Sequence, residues 1–281
     1  MSEVAGVVLA GGRSTRMGRP KATLEWHGST LLHRVTGIVG RAVDGGVVVV
    51  RAAGQELPEL PPGVRVVEDA AEDRGPLQGL AAGLAAVAGE AGVAYVSSTD
   101  VPLLHPAFVR VVARAASGED VEVAAPVSAG IAQPLAAAYR TSLVSRVEEL
   151  IAEGEQRATA LLERSRVREL SEDDLLADPE LAAADPELLS LMNLNEPGDY
   201  TRARAREAPS VTVRLLGGLA RNGADPLAVH AATLAAAAAA AGVVLGDAVR
   251  TDLNGKQIAN DPELPLAGRD ELSFTASNQR S

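Results

Sequence analysis

Residues 4–21 read VAGVVLAGGRSTRMGRPK, an apolar run that passes directly into a loop rich in glycine and basic residues. The run Val4–Ala10 has no polar side chain, which is typical of a strand buried on both faces of a parallel sheet. Glycines in the loop let backbone N–H groups approach an anion closely, while Arg16 and Lys21 add positive charge. This stretch predicts an α/β fold whose first strand ends at an anion-binding loop.

The glycine-rich loop matches neither of two common phosphate-binding patterns. The loop is not a Walker A motif, because Lys21 does not directly follow Gly18 and no Ser or Thr directly follows Lys21. The spacing GxGxxG is also absent. Two interpretations stay open, a phosphate cradle and a simple glycine turn with exposed basic side chains. Only Lys21 and Lys256 among the 26 basic residues are lysines, which favours a specific role for Lys21.

Short apolar runs and helical patterns alternate through the first two hundred residues. Further strands are predicted at Val47–Arg51, Val64–Val67, Val93–Ser97, Glu122–Pro126 and Ala132–Ala138. Helices are predicted at Ser29–Val43, Pro76–Ala88, Pro106–Ala116 and Thr141–Ala152. This alternation predicts a doubly wound, mostly parallel α/β sheet. Ligands of such sheets bind at the carboxyl ends of the strands, so the residues that follow each strand are the site candidates.

The composition excludes several classes of protein. The 281 residues are 47% hydrophobic and 22% charged, which excludes a disordered or collagen-like chain. The absence of cysteine excludes disulfides, thiolate metal sites and cysteine nucleophiles, and a net charge of −11 argues against a nucleic-acid surface. The apolar opening lacks the basic region of a signal peptide, and the uncharged residues 226–246 are rich in Ala and Gly rather than Leu and Ile. We therefore expect a cytoplasmic protein.

The negative charge is concentrated in residues 169–199, which we call the acidic segment. It contains ten acidic residues and no Lys or Arg. Within it, residues 178–180 and 185–187 both read Asp-Pro-Glu, which predicts two helical turns, each with Asp as N-cap and Pro at the first helical position. A solvated surface is one interpretation of the segment, and a lid or docking edge is the other.

Polar motifs follow other predicted strands. Asp100 lies directly after a buried run and shortly before Pro102, where its carboxylate would suit a Mg²⁺ ion that bridges phosphate oxygens. The alternative is that it caps the helix that begins near Pro106. Three further motifs are Glu68-Asp69 with Gly75-Pro76, Gln133-Pro134-Leu135, and Asn193-Leu194-Asn195. Each is ordinary loop chemistry alone, but their order along the chain indicates one shared site.

Taken together, these motifs resemble the molybdenum cofactor guanylyltransferase family, a branch of the nucleotidyltransferase superfamily with a Rossmann-like sheet. The resemblance covers residues 4–205 and depends on LAGGRSTRMGRPK at 9–21, GPLQG at 75–79, STDVPLL at 98–104, QPL and AYR at 133–140, and NLNEPGDY at 193–200. It implies that molybdopterin, or its molybdenum form, attacks the α-phosphate of GTP and that pyrophosphate leaves. It also implies Mg²⁺ as the cofactor.

The resemblance further implies roles for individual residues. By this resemblance Lys21 and Arg16 bind phosphate groups, and Asp100 is catalytic as the magnesium ligand. The implied substrate-binding residues are Leu9, Ala10, Gly11, Gly12, Asp69, Gly75, Asn193 and Asn195, the two asparagines lying on the metal or pterin side. Glu196 stands where the family usually has Thr, and the acidic segment precedes Asn193. These departures concern the acceptor rather than the nucleotide.

The chain changes pattern after Pro209. A strand at Val211–Leu216, a helix at Thr233–Ala241, strands at Ala248–Leu253 and Glu271–Thr275, and an Asn254-Gly255 hairpin turn predict a small α+β domain. The expected domains are therefore 1–205, the nucleotidyltransferase, and 210–281. The second resembles a β-grasp, ubiquitin-like domain, as in the small subunit of molybdopterin synthase. It lacks that protein's Gly-Gly tail, so we expect it to dock other molybdenum cofactor pathway proteins, or to be a structural remnant, rather than carry sulfur.

The implied reaction needs charge neutralisation and in-line positioning, and the attacking phosphate is already ionised, so no general base is required. One alternative is a nucleotidyltransferase that uses CTP or another phosphorylated acceptor. Gly11-Gly12, where cytidylyl members have Ala-Gly, resembles the guanylyl members. Another alternative is a non-catalytic nucleotide-binding scaffold that acts through its β-grasp domain. The joint presence of Arg16, Lys21 and Asp100 favours an enzyme.

Overall fold

The computed structural model describes residues 3–11, 20–69, 75–220 and 226–276. Contacts divide the chain into two compact units. The first comprises Met1–Leu24 and Thr30–Asp199, and the second Glu25–Ser29 and Tyr200–Ser281. The domain limits predicted from sequence, 1–205 and 210–281, remain a proposal. No helix in the described ranges is long and apolar enough to cross a membrane.

The described chain up to residue 204 alternates strands and helices. The strands are β1 (Val4–Leu9), β2 (Glu25–Trp26), β3 (Ser29–Thr30), β4 (Val47–Ala52), β5 (Arg65–Asp69), β6 (Val93–Ser98), β7 (Val123–Ser128), β8 (Ile131–Ala132), β9 (Ala136–Arg140) and β10 (Val167–Leu170). The helices are α1 (Leu31–Gly40), α2 (Pro76–Val87), α3 (Pro106–Ala115), α4 (Val144–Ala152), α5 (Thr159–Glu163), α6 (Glu172–Leu176), α7 (Pro179–Ala184) and α8 (Pro197–Arg204). Short 3-10 helices lie at Lys21–Thr23, Thr141–Leu143 and Leu189–Leu191.

The main sheet has the strand order β10-β7-β9-β6-β1-β4-β5, with β8 paired to β7. Strands β6, β1, β4 and β5 run parallel to one another, and β10 runs parallel to β7. Only β9 on this path is antiparallel to both of its neighbours. The prediction of an α/β domain with a mostly parallel sheet is confirmed. The carboxyl ends of β1, β4, β5 and β6 therefore meet at one edge.

Helices cover both faces of this sheet. A Cβ on Gly6 of β1 would contact Val39 of α1, and a Cβ on Gly83 of α2 would contact Val7. Because consecutive residues of a strand point to opposite faces, α1 and α2 lie on opposite sides of β1. The face under α2 and α4 is a buried apolar cluster that includes Leu80. Glycine at these positions lets the helices approach the sheet closely.

The predicted strand Ala132–Ala138 is wrong, because the chain forms β8 and β9 with a turn between them. Gln133 N–H donates to the Pro126 carbonyl at 2.8 Å, and Ala136 N–H donates to the Gln133 carbonyl at 3.1 Å. Pro134 has no N–H for a strand ladder, so the apolar run could not continue as one strand. The predicted start of the first helix at Ser29 also differs, since the Thr30 side chain accepts the His33 N–H and α1 begins at Leu31.

The Glu122 carboxylate ties the beginning of β7 to the segment before β10. Its Oε2 accepts Nη1 of Arg146 at 3.0 Å and the backbone N–H of Arg166 at 2.8 Å. The Arg146 hydrogen bond, followed by that from Arg166, lowers the pKa of Glu122 below its ordinary value. A carboxyl whose folded pKa is lowered stabilises the fold above its unfolded-state pKa, and this contribution is lost as pH falls through the folded pKa.

We expect Glu122→Gln to reduce the free energy of unfolding at pH 7 by about 1–2 kcal/mol, because hydrogen bonds to a charged acceptor become neutral ones. The difference from the original protein should shrink as pH falls from the ordinary glutamate pKa, about 4.3, through the lowered pKa of folded Glu122. Urea unfolding at pH 7 and at lower pH measures both effects. The exposed Glu119→Gln is the matched control, and a Glu122→Gln deficit that stays constant with pH would contradict the prediction.

The second unit contains a separate small mixed sheet. Its strands are β11 (Ser210–Leu216), β12 (Leu227–His230), β13 (Val249–Leu253), β14 (Lys256–Ile258) and β15 (Glu271–Ala276), and its helix is α9 (Leu234–Ala240). The order is β12-β11-β15-β13-β14, with β11 and β15 parallel and the other pairs antiparallel. Asn254 and Gly255 have φ of 51° and 78°, so the predicted hairpin turn is confirmed. The short strands β12 and β14 were missed.

The β2–β3 hairpin contributes to the second unit. The Arg204 Nε donates to Oε2 of Glu25 at 2.8 Å, and the Tyr200 hydroxyl donates to the Glu25 carbonyl at 2.6 Å. Ser29 Oγ donates to Oε2 of Glu263 at 3.1 Å. Five residues from the early chain therefore pack with residues from its last third, an arrangement that no local pattern indicates.

Candidate active site

The carboxyl ends of β1 and β6 are joined by a buried hydrogen bond. Thr99 Oγ1 donates to the Leu9 carbonyl at 2.9 Å. On the other side of β1, the Ala10 N–H donates to the Val50 carbonyl of β4 at 2.8 Å. These bonds place the chain that leaves β1 beside the Ser98-Thr99-Asp100 motif, as the parallel register requires.

Lys21 and Asp100 contact each other at this edge of the sheet. Lys21 Nζ lies 2.6 Å from Asp100 Oδ2, and the two side chains are 22% and 15% exposed. Ser98 Oγ donates to the other carboxylate oxygen, Oδ1, at 2.5 Å. The structure thus brings together two of the predicted catalytic residues from positions 79 residues apart. The orienting role of Ser98 was not predicted, although Ser98 lies in the same motif as Asp100.

The chain after β1 lies against the chain after β4. Gln55 Nε2 donates to the Ala10 carbonyl at 3.0 Å, while Gln55 Oε1 accepts the Ala52 N–H at 3.0 Å. A Cβ on Gly11 would lie 3.3 Å from the Ala52 nitrogen, so the close approach of the two backbones favours glycine there. Gln55 was missed because only its tertiary position distinguishes it from any other polar loop residue.

Asp69 and Gly75 lie on either side of residues 70–74. Asp69 is the last residue of β5, and its Oδ2 is 3.9 Å from the position of a Cβ on Gly79 in α2. Gly75 has φ 77°, and a Cβ there would lie 2.6 Å from the carbonyl oxygen of Gln156. Backbone conformation and this contact explain the glycine without a ligand, and its nucleotide-binding role stays a prediction.

Asn193 and Asn195 flank a residue that is attached to the end of β6. The Leu194 N–H donates to the Asp100 carbonyl at 2.9 Å, and Leu194 is fully buried. Asp199 Oδ2 accepts the N–H groups of Asn195 and Glu196 at 2.9 and 2.8 Å. Both asparagines are exposed, and their role in binding the acceptor stays a prediction.

Two predicted site residues, Gly12 and Arg16, lie outside the described residues. The sequence-based roles of these two residues therefore remain predictions.

Two carboxylates of the acidic segment pair with arginines of α3. Asp178 caps α7 as predicted, since its Oδ1 accepts the Leu181 N–H at 3.0 Å, and its Oδ2 pairs with Arg114 of α3 at 2.7 Å. Glu180 pairs with Arg110 of the same helix. The segment therefore packs on α3 through its charges as well as through buried leucines.

The helical turn predicted to begin at Pro186 is not an α-helix, and Asp185 instead caps the 3-10 helix Leu189–Leu191. No α-helix begins at Pro186, and Leu188 adopts a left-handed conformation with φ 49°. Asp185 is instead only 5% exposed and accepts backbone N–H bonds from Leu189 and Ser190. The two triplets have the same sequence, but Asp185 is buried whereas Asp178 caps α7 and pairs with Arg114.

The residues at this edge fit a magnesium ion held with substrate phosphates. Mg²⁺ usually keeps several waters and takes only one or two carboxylates from a protein, together with phosphate oxygens. Asp100 supplies one hard carboxylate, which Ser98 orients. No cluster of three or more His, Asp or Glu side chains suited to an all-protein metal site occurs among the described residues. The donor set therefore suits a metal that arrives with a nucleotide.

Known proteins are similar to the N-terminal part of the chain. Residues 6–170 match the model of the MobA-like NTP transferase domain. The "Probable molybdenum cofactor guanylyltransferase" of Mycobacterium tuberculosis (strain ATCC 25618 / H37Rv) is 45% identical over 166 residues, which are 58% of this chain and 80% of that protein. The protein of the same description from Mycobacterium avium (strain 104) is 38% identical over 172 residues, 60% of this chain and 85% of that one.

Solved structures share the fold of the first unit. Molybdopterin-guanine dinucleotide biosynthesis protein A from Archaeoglobus fulgidus superposes with a TM-score of 0.56 at 22% identity, covering 71% of this chain and 96% of that chain. At this identity the likeness shows the fold alone. The family model, however, spans more than half of the sequence, and the mycobacterial relative is matched over most of its length. The chain belongs to the family of MobA-like NTP transferase domains.

Proposed function

We propose that this nucleotidyltransferase transfers GMP from GTP to molybdopterin, or to its molybdenum form, and releases pyrophosphate. The observation that carries the proposal is the contact between Lys21 and Asp100 where β1 and β6 end. It unites a cation and a hard carboxylate at the edge where α/β sheets bind ligands. The names of the 45% identical mycobacterial relatives support guanylyl transfer as the reaction.

The residues of the β1 and β4 ends would form the nucleotide side of the site. Gly11 leaves its backbone uncovered for a close approach of the triphosphate, because no side chain projects from it, and Gln55 holds the preceding Ala10 carbonyl. Asp69, at the end of β5, is the acid we assign to the nucleoside. Lys21 would exchange its bond to Asp100 for phosphate oxygens and stabilise the negative charge of the leaving pyrophosphate.

Asp100 would hold Mg²⁺ with its carboxylate, and Ser98 would keep the carboxylate in place. When bound, Mg²⁺ would neutralise charge on the triphosphate as a Lewis acid. The attacking phosphate of molybdopterin is ionised at neutral pH, so the protein needs no base to activate it. Asn193 and Asn195 would then orient the acceptor next to Asp100, on the far side from the β4 and β5 ends.

A pyrophosphate-release assay tests this function with the full chain, Mg²⁺ and molybdopterin. We expect turnover with GTP that depends on the acceptor, and a much lower rate with CTP. Preference for CTP would identify a cytidylyltransferase, and turnover that ignores molybdopterin would point to another phosphorylated acceptor. Nucleotide binding without any turnover would leave only the scaffold alternative.

The small sheet of the second unit supports a β-grasp, ubiquitin-like assignment. Its two central strands, β11 and β15, are parallel, and a single helix follows β12. Phe274 and Leu234 are fully buried in its apolar cluster, so the unit has a core of its own. We assign to it the docking of other molybdenum cofactor pathway proteins, in a cytoplasmic enzyme.

A further inference from the structure

The acidic segment contains one aspartate that its neighbours do not resemble. Asp185 is buried, with 5% of its surface exposed, whereas Asp178, which begins the first Asp-Pro-Glu triplet, is only partly buried. The Asp185 carboxylate accepts the Leu189 N–H at 2.7 Å through Oδ1 and the Ser190 N–H at 2.9 Å through Oδ2. A carboxylate buried to this degree requires such partners, so both N–H groups are held firmly.

The hydrogen bonds continue from Asp185 to the end of β6. Ser190 is fully buried, and its Oγ accepts the backbone N–H of His105, the residue that caps α3. Three residues beyond the 3-10 helix Leu189–Leu191, the Leu194 N–H donates to the Asp100 carbonyl. Asp185 thus holds the start of residues 189–194, a segment that bonds to the N-cap of α3 through Ser190 and to the Asp100 backbone through Leu194. We call this series of contacts the Asp185 path.

The Asp185 path and the strands assigned to the nucleotide lie on opposite sides of β6. Strands β1, β4 and β5 lie on one side of β6 in the sheet, and their carboxyl ends carry Leu9, Ala10 and Asp69. The Asp185 path bonds to the N-cap of α3, and α3 packs on β6, β9 and β7. Strands β9 and β7 lie on the opposite side of β6 from β1. Loss of a hydrogen bond in this path should therefore change the position of Asn193 and Asn195 more than that of the residues assigned to the nucleotide.

We propose that Asp185 is a positioning residue for the acceptor side of the site, acting through Ser190 and Leu194 on the loop that carries Asn193 and Asn195. The inference rests on the proposed function for its kinetic consequence. The acidic segment then has a specific role. Its end sets the position of the loop at which molybdopterin binds, while its other carboxylates interact with α3 and solvent.

The test compares Asp185→Asn with Asp178→Asn in the full chain. Both variants remove one negative charge from the same segment, but only the first replaces an acceptor oxygen of the path with an amide group that donates. For Asp185→Asn we expect the KM for molybdopterin to rise about tenfold, as for a lost hydrogen bond to a charged group, with the KM for GTP nearly unchanged. Ser190→Ala, a milder change, should shift the same constant in the same direction.

Hydrogen exchange followed by mass spectrometry gives a second readout that needs no turnover. Peptides that cover residues 189–196 should take up deuterium faster in Asp185→Asn than in Asp178→Asn. Equal uptake in this peptide, or equal rises in both KM values, would overturn the inference while leaving the proposed function intact. If the unchanged protein lacks acceptor-dependent turnover, the proposed function fails, and the exchange result still decides whether Asp185 orders the loop.

Discussion

Replacement of Asp100 by alanine is expected to lower acceptor-dependent release of pyrophosphate from GTP by about two orders of magnitude or more. The carboxylate is the hard oxygen ligand that the joined ends of β1 and β6 present, and both of its oxygens are already oriented, by Lys21 and Ser98. Its loss removes a group placed in advance where charge accumulates on the triphosphate. The effect should fall mainly on kcat.

Steady-state kinetics of the purified variant with GTP and molybdopterin measure this loss. Asp100→Asn keeps the shape and an oxygen that can accept the Ser98 hydroxyl, so its activity should be just as low if charge is the cause. Thermal unfolding checks that both variants are folded, since Asp100→Ala leaves Lys21 without the partner of a mostly buried ion pair. The exposed Asp120→Ala is the control, and a folded Asp100→Ala protein with near-normal transfer would contradict the assignment.

Replacement of Lys21 by alanine should reduce kcat/KM for GTP by about a hundredfold. Its ammonium group supplies positive charge beside Asp100, at the end of the loop that follows β1. Removal leaves the developing charge of pyrophosphate without this partner. It also leaves the Asp100 carboxylate without its cation in the free enzyme, so the variant should bind a divalent metal no more weakly than the original protein.

Lys256 provides a matched control for Lys21, because it is the other lysine of the chain and lies exposed on β14. Lys256→Ala should leave kcat/KM for GTP unchanged. Lys21→Arg separates charge from shape, since a planar guanidinium carries the charge differently from an ammonium group. Activity of Lys21→Arg well above that of Lys21→Ala, yet below the original, fits a phosphate contact. Equal kcat/KM for GTP in Lys21→Ala and Lys256→Ala would exclude a phosphate contact by Lys21.

Local patterns were sufficient for most of the fold. The buried run of β1, the helix that begins at Pro76 and the Asn254-Gly255 hairpin were all predictable, because strand period, proline at a first helical position and left-handed turn residues act within a few residues. Such patterns did not predict β10, in which Arg168 and Glu169 are adjacent and interrupt any alternation, or the division of a predicted strand at Pro134. Edge strands and interrupted strands carry weak periodic signals.

Some site residues were predictable from the sequence and others were not. Asp100 was identifiable because it follows an apolar run directly, and Lys21 because lysine is rare here. Gln55 and Ser190 were not identifiable, since nothing adjacent in the chain marks them. Their roles depend on which distant backbone groups lie within hydrogen-bonding distance.

The sequence by itself determined the alternation of strands and helices, the placement of a carboxylate after β6, and the appearance of a second small domain. Each depends on periodicity and turn chemistry, which neighbouring residues settle among themselves. Only the tertiary structure decided that Lys21 contacts Asp100, that hairpin residues 25–29 pack with the last third of the chain, and that two identical Asp-Pro-Glu triplets behave differently. Asp178 is only partly buried and caps a helix, whereas Asp185 is buried and its carboxylate accepts the N–H groups of Leu189 and Ser190. The tertiary structure decides this difference because the cost of desolvating a carboxylate depends on what packs around it.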